Sequence, residues 1–137
     1  MKITKKMISE ISSKIIGSAI EVHKHLGPGL LESVYQICLI EELKMRGLKV
    51  DSEVYFPISY KGKNLGSKLR LDIVVEDMIV VELKAVEKMM PLYNAQLLSY
   101  LKLTGKPKGL LFNFHCDNIR NEMNSLVTNV YALLPEE

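Results

Sequence analysis

The chain has 137 residues, 47% of them hydrophobic and 25% charged, which suits one domain with a single core and leaves no length for a second. A formal charge of +2 permits nucleic-acid contact without requiring it, and Cys38 and Cys116 lack the paired spacing of a zinc or iron-sulfur centre. No apolar run approaches the roughly 18 residues of a membrane span and the first residues are charged, so the expectation is a soluble, unexported, cytoplasmic protein with reduced thiols and no membrane partner.

Apolar residues at Met7, Ile8, Ile11, Ile15, Ala19, Ile20 and Val22 recur every three or four positions, predicting an amphipathic helix over 4–26. Gly27-Pro28-Gly29 stops it, because proline cannot continue the hydrogen-bond ladder and glycine accepts left-handed angles. A second helix over 30–46 is expected to turn Leu31, Val34, Tyr35, Cys38, Leu39 and Leu43 inward, with Cys38 as a small buried side chain, and to end at Gly47. Residues 49–60 read as a strand and 61–66 as a turn. Residues 69–86, rich in Val and Ile and interrupted only by Glu76-Asp77-Met78, read as a β-hairpin. Pro91 then opens a helix over 92–103 that closes near Gly105, and 109–114 is a short apolar strand suited to burial. Strand, helix and strand from 79 to 114 imply a right-handed parallel crossover. Residues 117–124 are polar and irregular or briefly helical, 127–134 read as a final strand, and 135–137 as a frayed end. The order predicts an α/β sandwich built on a central mixed β-sheet, preceded by two N-terminal helices.

The hairpin holds the chemistry. If Glu76-Asp77-Met78 is the loop, Val75 faces Ile79 and Asp72 faces Glu82, which shares its face with Lys84. Leu71, Ile73, Val75, Ile79, Val81 and Leu83 then form one buried face. A two-residue turn would pair Asp72 with Val81 and send Glu82 to the other side. Two carboxylates beside an ammonium suit phosphodiester hydrolysis: Asp72 and Glu82, with the Leu83 carbonyl, are candidate ligands for Mg²⁺ or Mn²⁺. Such an ion activates water, and Lys84 can hold that water or offset charge on phosphorus. The competing reading is a solvated Glu82 and Lys84 pair, common on surfaces and of little energetic value.

Glu32 and Tyr35 neighbour each other on the second helix. Glu32 is a candidate for a second cation or for orienting water, against a simple helix-dipole role, and Tyr35 is a candidate substrate contact that by itself reads as core. Gln96 and Tyr100 lie four apart on the crossover helix, an amide and a phenol able to meet phosphate or base. Lys61, Lys63, Lys68 and Arg70, with no acid between 60 and 70, are candidate phosphate contacts, against the commoner role of a solvated loop. His23, His25 and His115 show no zinc spacing and stay outside the set.

Gly29-x-x-Glu32-x-x-Tyr35, Arg70-Leu71-Asp72, Val81-Glu82-Leu83-Lys84-Ala85-Val86 and the block from Gln96 to Leu101 together resemble the GxxExxY proteins of the PD-(D/E)XK nuclease superfamily, in the same order. The resemblance implies a restriction-endonuclease-like α/β/α core, with Asp72, Glu82 and Lys84 as catalytic trio, Glu32 as the preceding helical acid and Gln96 as the helical glutamine. The expected function is a Mg²⁺-dependent nuclease acting on DNA rather than RNA. Its alternative is a non-catalytic nucleic-acid-binding or assembly module that keeps the fold. So small a chain would need a homodimer or partner protein to grip a long duplex. A small-molecule phosphatase is disfavoured by the lack of a glycine-rich phosphate cradle.

Overall fold

A computed structural model of the protein describes residues 2–137. Helix α1 (Lys5–Leu26) begins where the Thr4 side chain accepts the Met7 N–H at 3.1 Å, and ends at Gly27, whose φ of 70° only glycine adopts cheaply. Ile8, Ile15, Ala19 and Val22 form its buried stripe. Helix α2 (Glu32–Met45) buries Tyr35, Leu39 and Leu43, spaced four apart. Leu31 and Val34 do not turn inward as expected: Leu31 precedes the first helical turn in extended backbone and is 74% exposed, and Val34 lies about 100° round the helix from Tyr35. Cys38, on the flank of the stripe, is only half-buried.

Five strands follow: β1 (Val50–Tyr60), β2 (Lys63–Val75), β3 (Ile79–Lys84), β4 (Lys108–Asn113) and β5 (Met123–Val127), lying side by side in chain order. Only β3 and β4 run parallel, and helix α3 (Pro91–Thr104) makes the crossover between them. Helices cover both faces. Ile73, Val75, Ile79, Val81, Leu110 and Phe112 pack against α1 and α2, while Val74, Val80 and Leu111 pack against Leu97 and Leu101 of α3. The sequence pattern predicts this mixed-sheet α/β/α sandwich. Among the described residues no helix is long and apolar enough to cross a membrane.

Three segments differ from expectation. The β1–β2 turn is two residues, Lys61 and Gly62 at φ 50° and 79°, the double left-handed geometry that matches strand twist, so β2 starts at Lys63 rather than after Gly66. Gly66, at φ 77°, lies where the register shifts by a bulge. The last strand is β5, earlier than predicted, and the apolar residues after it belong to a short helix α4 (Asn129–Ala132). Tyr131 and Leu134, three apart, pack on the core, and a run that short does not separate helical from strand spacing. Residues 135 and 136 are not frayed: the Pro135 and Glu136 carbonyls accept the Lys5 and Lys6 N–H groups at 2.8 and 3.0 Å, first-turn donors that have no partner within the helix.

Candidate active site

β2 and β3 pair Ile73 with Val81, Val74 with Val80 and Val75 with Ile79, leaving Glu76-Asp77-Met78 as the odd loop that the apolar pattern predicts. Glu76 and Asp77 adopt φ of 51° and 58°, costly for residues with a Cβ. Neighbouring groups hold them there. The Glu76 N–H donates to the Lys49 carbonyl at 2.8 Å and the Lys49 N–H donates to the Glu76 carboxylate, while Lys106 Nζ donates to the Asp77 carbonyl at 2.9 Å.

The ladder between β2 and β3 ends at Ile73, and strand alternation breaks across Asp72. Leu71 packs with Val74 and Val80 on the α3 side, not with Ile73 and Val75 as expected. The cause lies in β1. Between the pairs Ser52 with Ile73 and Val54 with Leu71, Glu53 stands opposite Asp72 at φ 52°, and a left-handed residue in a strand re-aims the side chains on both sides of it.

Asp72, Glu82, Lys84 and Glu32 come within electrostatic reach of one another at this point. Burial first, then Asp72 and Glu32, pushes the Glu82 carboxyl up to about 7, with Lys84 and Arg70 opposing. Glu82 is only 8% exposed. Glu32, on the first turn of α2, is exposed as a residue, yet its carboxyl is also raised, chiefly by burial and further by Asp72, against the pull of Lys84. Asp72 is held by Arg70, whose Nη2 and Nε lie 3.0 and 3.1 Å from Oδ1. Both contacts engage the same oxygen.

The other predicted residues divide. Gln96 Nε2 donates to the Tyr100 hydroxyl at 2.7 Å, so they form a pair along α3. Lys61, Lys63 and Lys68 are exposed on the β1–β2 hairpin, with Lys61 Nζ 5.3 Å above the Tyr60 ring. Leu83 lies between Glu82 and Lys84 with its side chain in the α1–α2 core. Tyr35 is not available to a substrate, contrary to expectation. It is fully buried, stacked on Phe114 at 4.6 Å, and its hydroxyl donates to the Gly27 carbonyl at 2.6 Å and accepts the Leu30 N–H at 3.1 Å. It pins the turn that delivers Glu32. Tyr35→Phe should therefore cost about 1–2 kcal/mol of stability in urea unfolding, with the half-buried Gly27 carbonyl left without this donor.

Two residues escaped the sequence reading. Tyr93 lies under Lys84, whose Nζ is 4.6 Å from the ring centroid, a cation–π contact that steadies the ammonium. Tyr93, Gln96 and Tyr100, spaced three and four apart, were its available signal. Asn113 is fully buried opposite Lys84 on β4. Its Oδ1 accepts the Val86 and His115 N–H groups at 3.1 and 3.2 Å, and its Nδ2 donates to the Val86 carbonyl at 2.9 Å. A polar residue in the apolar run 109–114 was the hint. His23 stays outside the site, its Nε2 2.8 Å from the Cys116 carbonyl.

Among the described residues no three His, Cys, Asp or Glu side chains gather tightly enough to hold a metal by themselves. The donor chemistry nevertheless fits a hard divalent cation. Asp72 and Glu82 offer oxygens, and the Glu82 and Glu32 carboxyls are raised chiefly by burial and further by Asp72, costs that a bound cation would relieve.

The family model described as the PD-(D/E)XK nuclease superfamily matches residues 9–126, a span that contains every candidate site residue. No curated protein and no solved structure matches the chain.

Proposed function

The chain belongs to the PD-(D/E)XK nuclease superfamily, and from that premise we propose that it is a single-domain nuclease of the GxxExxY branch, hydrolysing phosphodiester bonds in nucleic acid, DNA ahead of RNA, with a divalent metal. The observation that carries this reading is the meeting of Asp72, Glu82 and Lys84 where β2 leaves β3, with Glu32 brought alongside by α2.

In this reading Asp72, Glu82 and the Leu83 carbonyl hold Mg²⁺ or Mn²⁺, and Glu32 is available to a second ion. When bound, the ion supplies Lewis acidity toward water and phosphate. Arg70 fixes the Asp72 carboxylate through Oδ1, which leaves Oδ2 for the cation. Lys84, steadied by the Tyr93 ring, positions the attacking water and offsets charge that grows on the phosphate oxygens. Glu32, on the first turn of α2, would help to orient that water. Gln96 and Tyr100 contact the substrate as a hydrogen-bonded pair.

The reading predicts a pH signature. Glu82 has a folded-state pKa of about 7 against an ordinary value of 4.5, so its contribution favours the metal-free fold below pH 4.5 and is lost as pH rises through 7. The loss should not exceed about 3 kcal/mol. Mg²⁺ favours the ionised carboxyl, so it should raise Tm more at pH 8 than at pH 5.5. Equal metal shifts at both pH values would remove Glu82 from the ligand set.

The deciding experiment is cleavage of end-labelled single- and double-stranded DNA and RNA in Mg²⁺, Mn²⁺ and EDTA. Metal-dependent cleavage supports the nuclease. The Arg70 hold on Asp72 favours a second reading, a nucleic-acid-binding module without turnover. Binding that is indifferent to EDTA, with no cleavage in either metal, would establish that module instead.

A further inference from the structure

Among the described residues, β2 pairs before Ile73 only with β1, so the two strands run on as a two-stranded arm whose base is the Asp72 carboxylate. Its two faces differ. Val54, Phe56, Leu69 and Leu71 pack toward α3. On the opposite face Tyr55 lies across from Arg70 and Pro57 across from Lys68. Arg70 grips Asp72 at 3.0 Å, so this face leads to the candidate active site. Tyr55 is 55% exposed on it, whereas Tyr60, five positions on and so on the other face, is 61% exposed at the tip with Lys61 over its ring. From 54 to 71 the chain carries Lys61, Lys63, Lys68 and Arg70 and no carboxylate.

We propose that the Tyr55 face of this arm is a binding subsite for unpaired nucleotides, with Tyr55 stacking on a base while Lys68 and Arg70 meet phosphates, which makes single-stranded nucleic acid the preferred substrate class. The inference rests on the nuclease reading for the strand's destination at Asp72. Core packing does not account for a tyrosine more than half exposed beside Arg70 on an acid-free cationic hairpin. A phenol ring can stack freely only on a base that is not already stacked in a duplex, since separating paired bases costs energy that a single strand does not demand. The cations supply sequence-independent attraction that weakens with salt.

The test is fluorescence anisotropy with the full chain in EDTA, using a labelled oligothymidylate and its duplex with oligoadenylate, beside cleavage of both in Mg²⁺. Wild type should bind the single strand at least about tenfold tighter than the duplex, and Tyr55→Ala should lose about tenfold on the single strand while Tyr60→Ala, on the other face, should not. Tyr55→Phe should retain binding, and Lys68→Ala should lower the salt slope by about one. Equal affinity for the two forms, no binding by wild type, a Tyr55→Ala variant that binds like wild type, or an equal loss in Tyr60→Ala would each overturn the subsite. Cleavage by wild type with an unaffected Tyr55→Ala variant defeats the subsite and spares the nuclease. Binding lost in Tyr55→Ala alone, with no cleavage by wild type, supports the subsite and defeats the nuclease.

Discussion

Asp72→Asn and Lys84→Ala are each expected to reduce metal-dependent cleavage about 10³-fold while leaving the fold intact. The two variants fail for different reasons. Asparagine keeps the shape of Asp72 but removes the charge that attracts a cation, and alanine at 84 removes the ammonium that faces the phosphate. Their stabilities should separate them from misfolded protein. The Arg70–Asp72 pair is half exposed on the arginine side and screened by solvent, so its loss costs little. Meanwhile the Glu82 carboxyl, raised partly by Asp72, relaxes toward its ordinary range. Asp72→Asn should therefore be nearly as stable as wild type in EDTA at pH 8, and inactive. Calorimetry beside the end-label assay gives both quantities, and full activity in Asp72→Asn would remove this carboxylate from the chemistry.

The largest stability loss is expected at Asn113. Asn113→Ala leaves the Val86 N–H, the Val86 carbonyl and the His115 N–H without their partner, and should cost about 3 kcal/mol in urea unfolding. The segment that leaves β3 after Lys84 is clamped on one side by this amide and on the other by the Phe114 N–H, which donates to the Lys84 carbonyl at 2.8 Å. Activity should therefore fall together with stability. A loss below about 1 kcal/mol would show that water replaces the amide.

The odd loop at 76–78 was legible because a one-residue slip would have reversed every apolar side chain of the hairpin. The same alternation misplaced Leu71, because the break is written in the backbone of Glu53 on another strand, and nothing in a glutamate announces a left-handed angle. Tyr35 was read as a substrate contact for its place in the Gly29-x-x-Glu32-x-x-Tyr35 pattern, whereas its hydroxyl bonds at Gly27 and Leu30 come from the fold of the turn. Asn113 shows the converse. One amide within an apolar run signals a buried network only when the strand beside it is known.

The distortion at Glu53 also bears on how copies of this protein meet. β1 is the outermost strand, and a long, straight outer strand would offer a row of unsatisfied amides to any second molecule. Here that row is interrupted three times. Glu53 bends it, Pro57 has no N–H to give, and the bulge beyond Pro57 twists the remainder away. A neighbouring strand therefore finds no more than a few consecutive partners along this edge. The irregularity that breaks the strand alternation at Asp72 is also a guard against sheet-to-sheet aggregation, and straightening it would remove both.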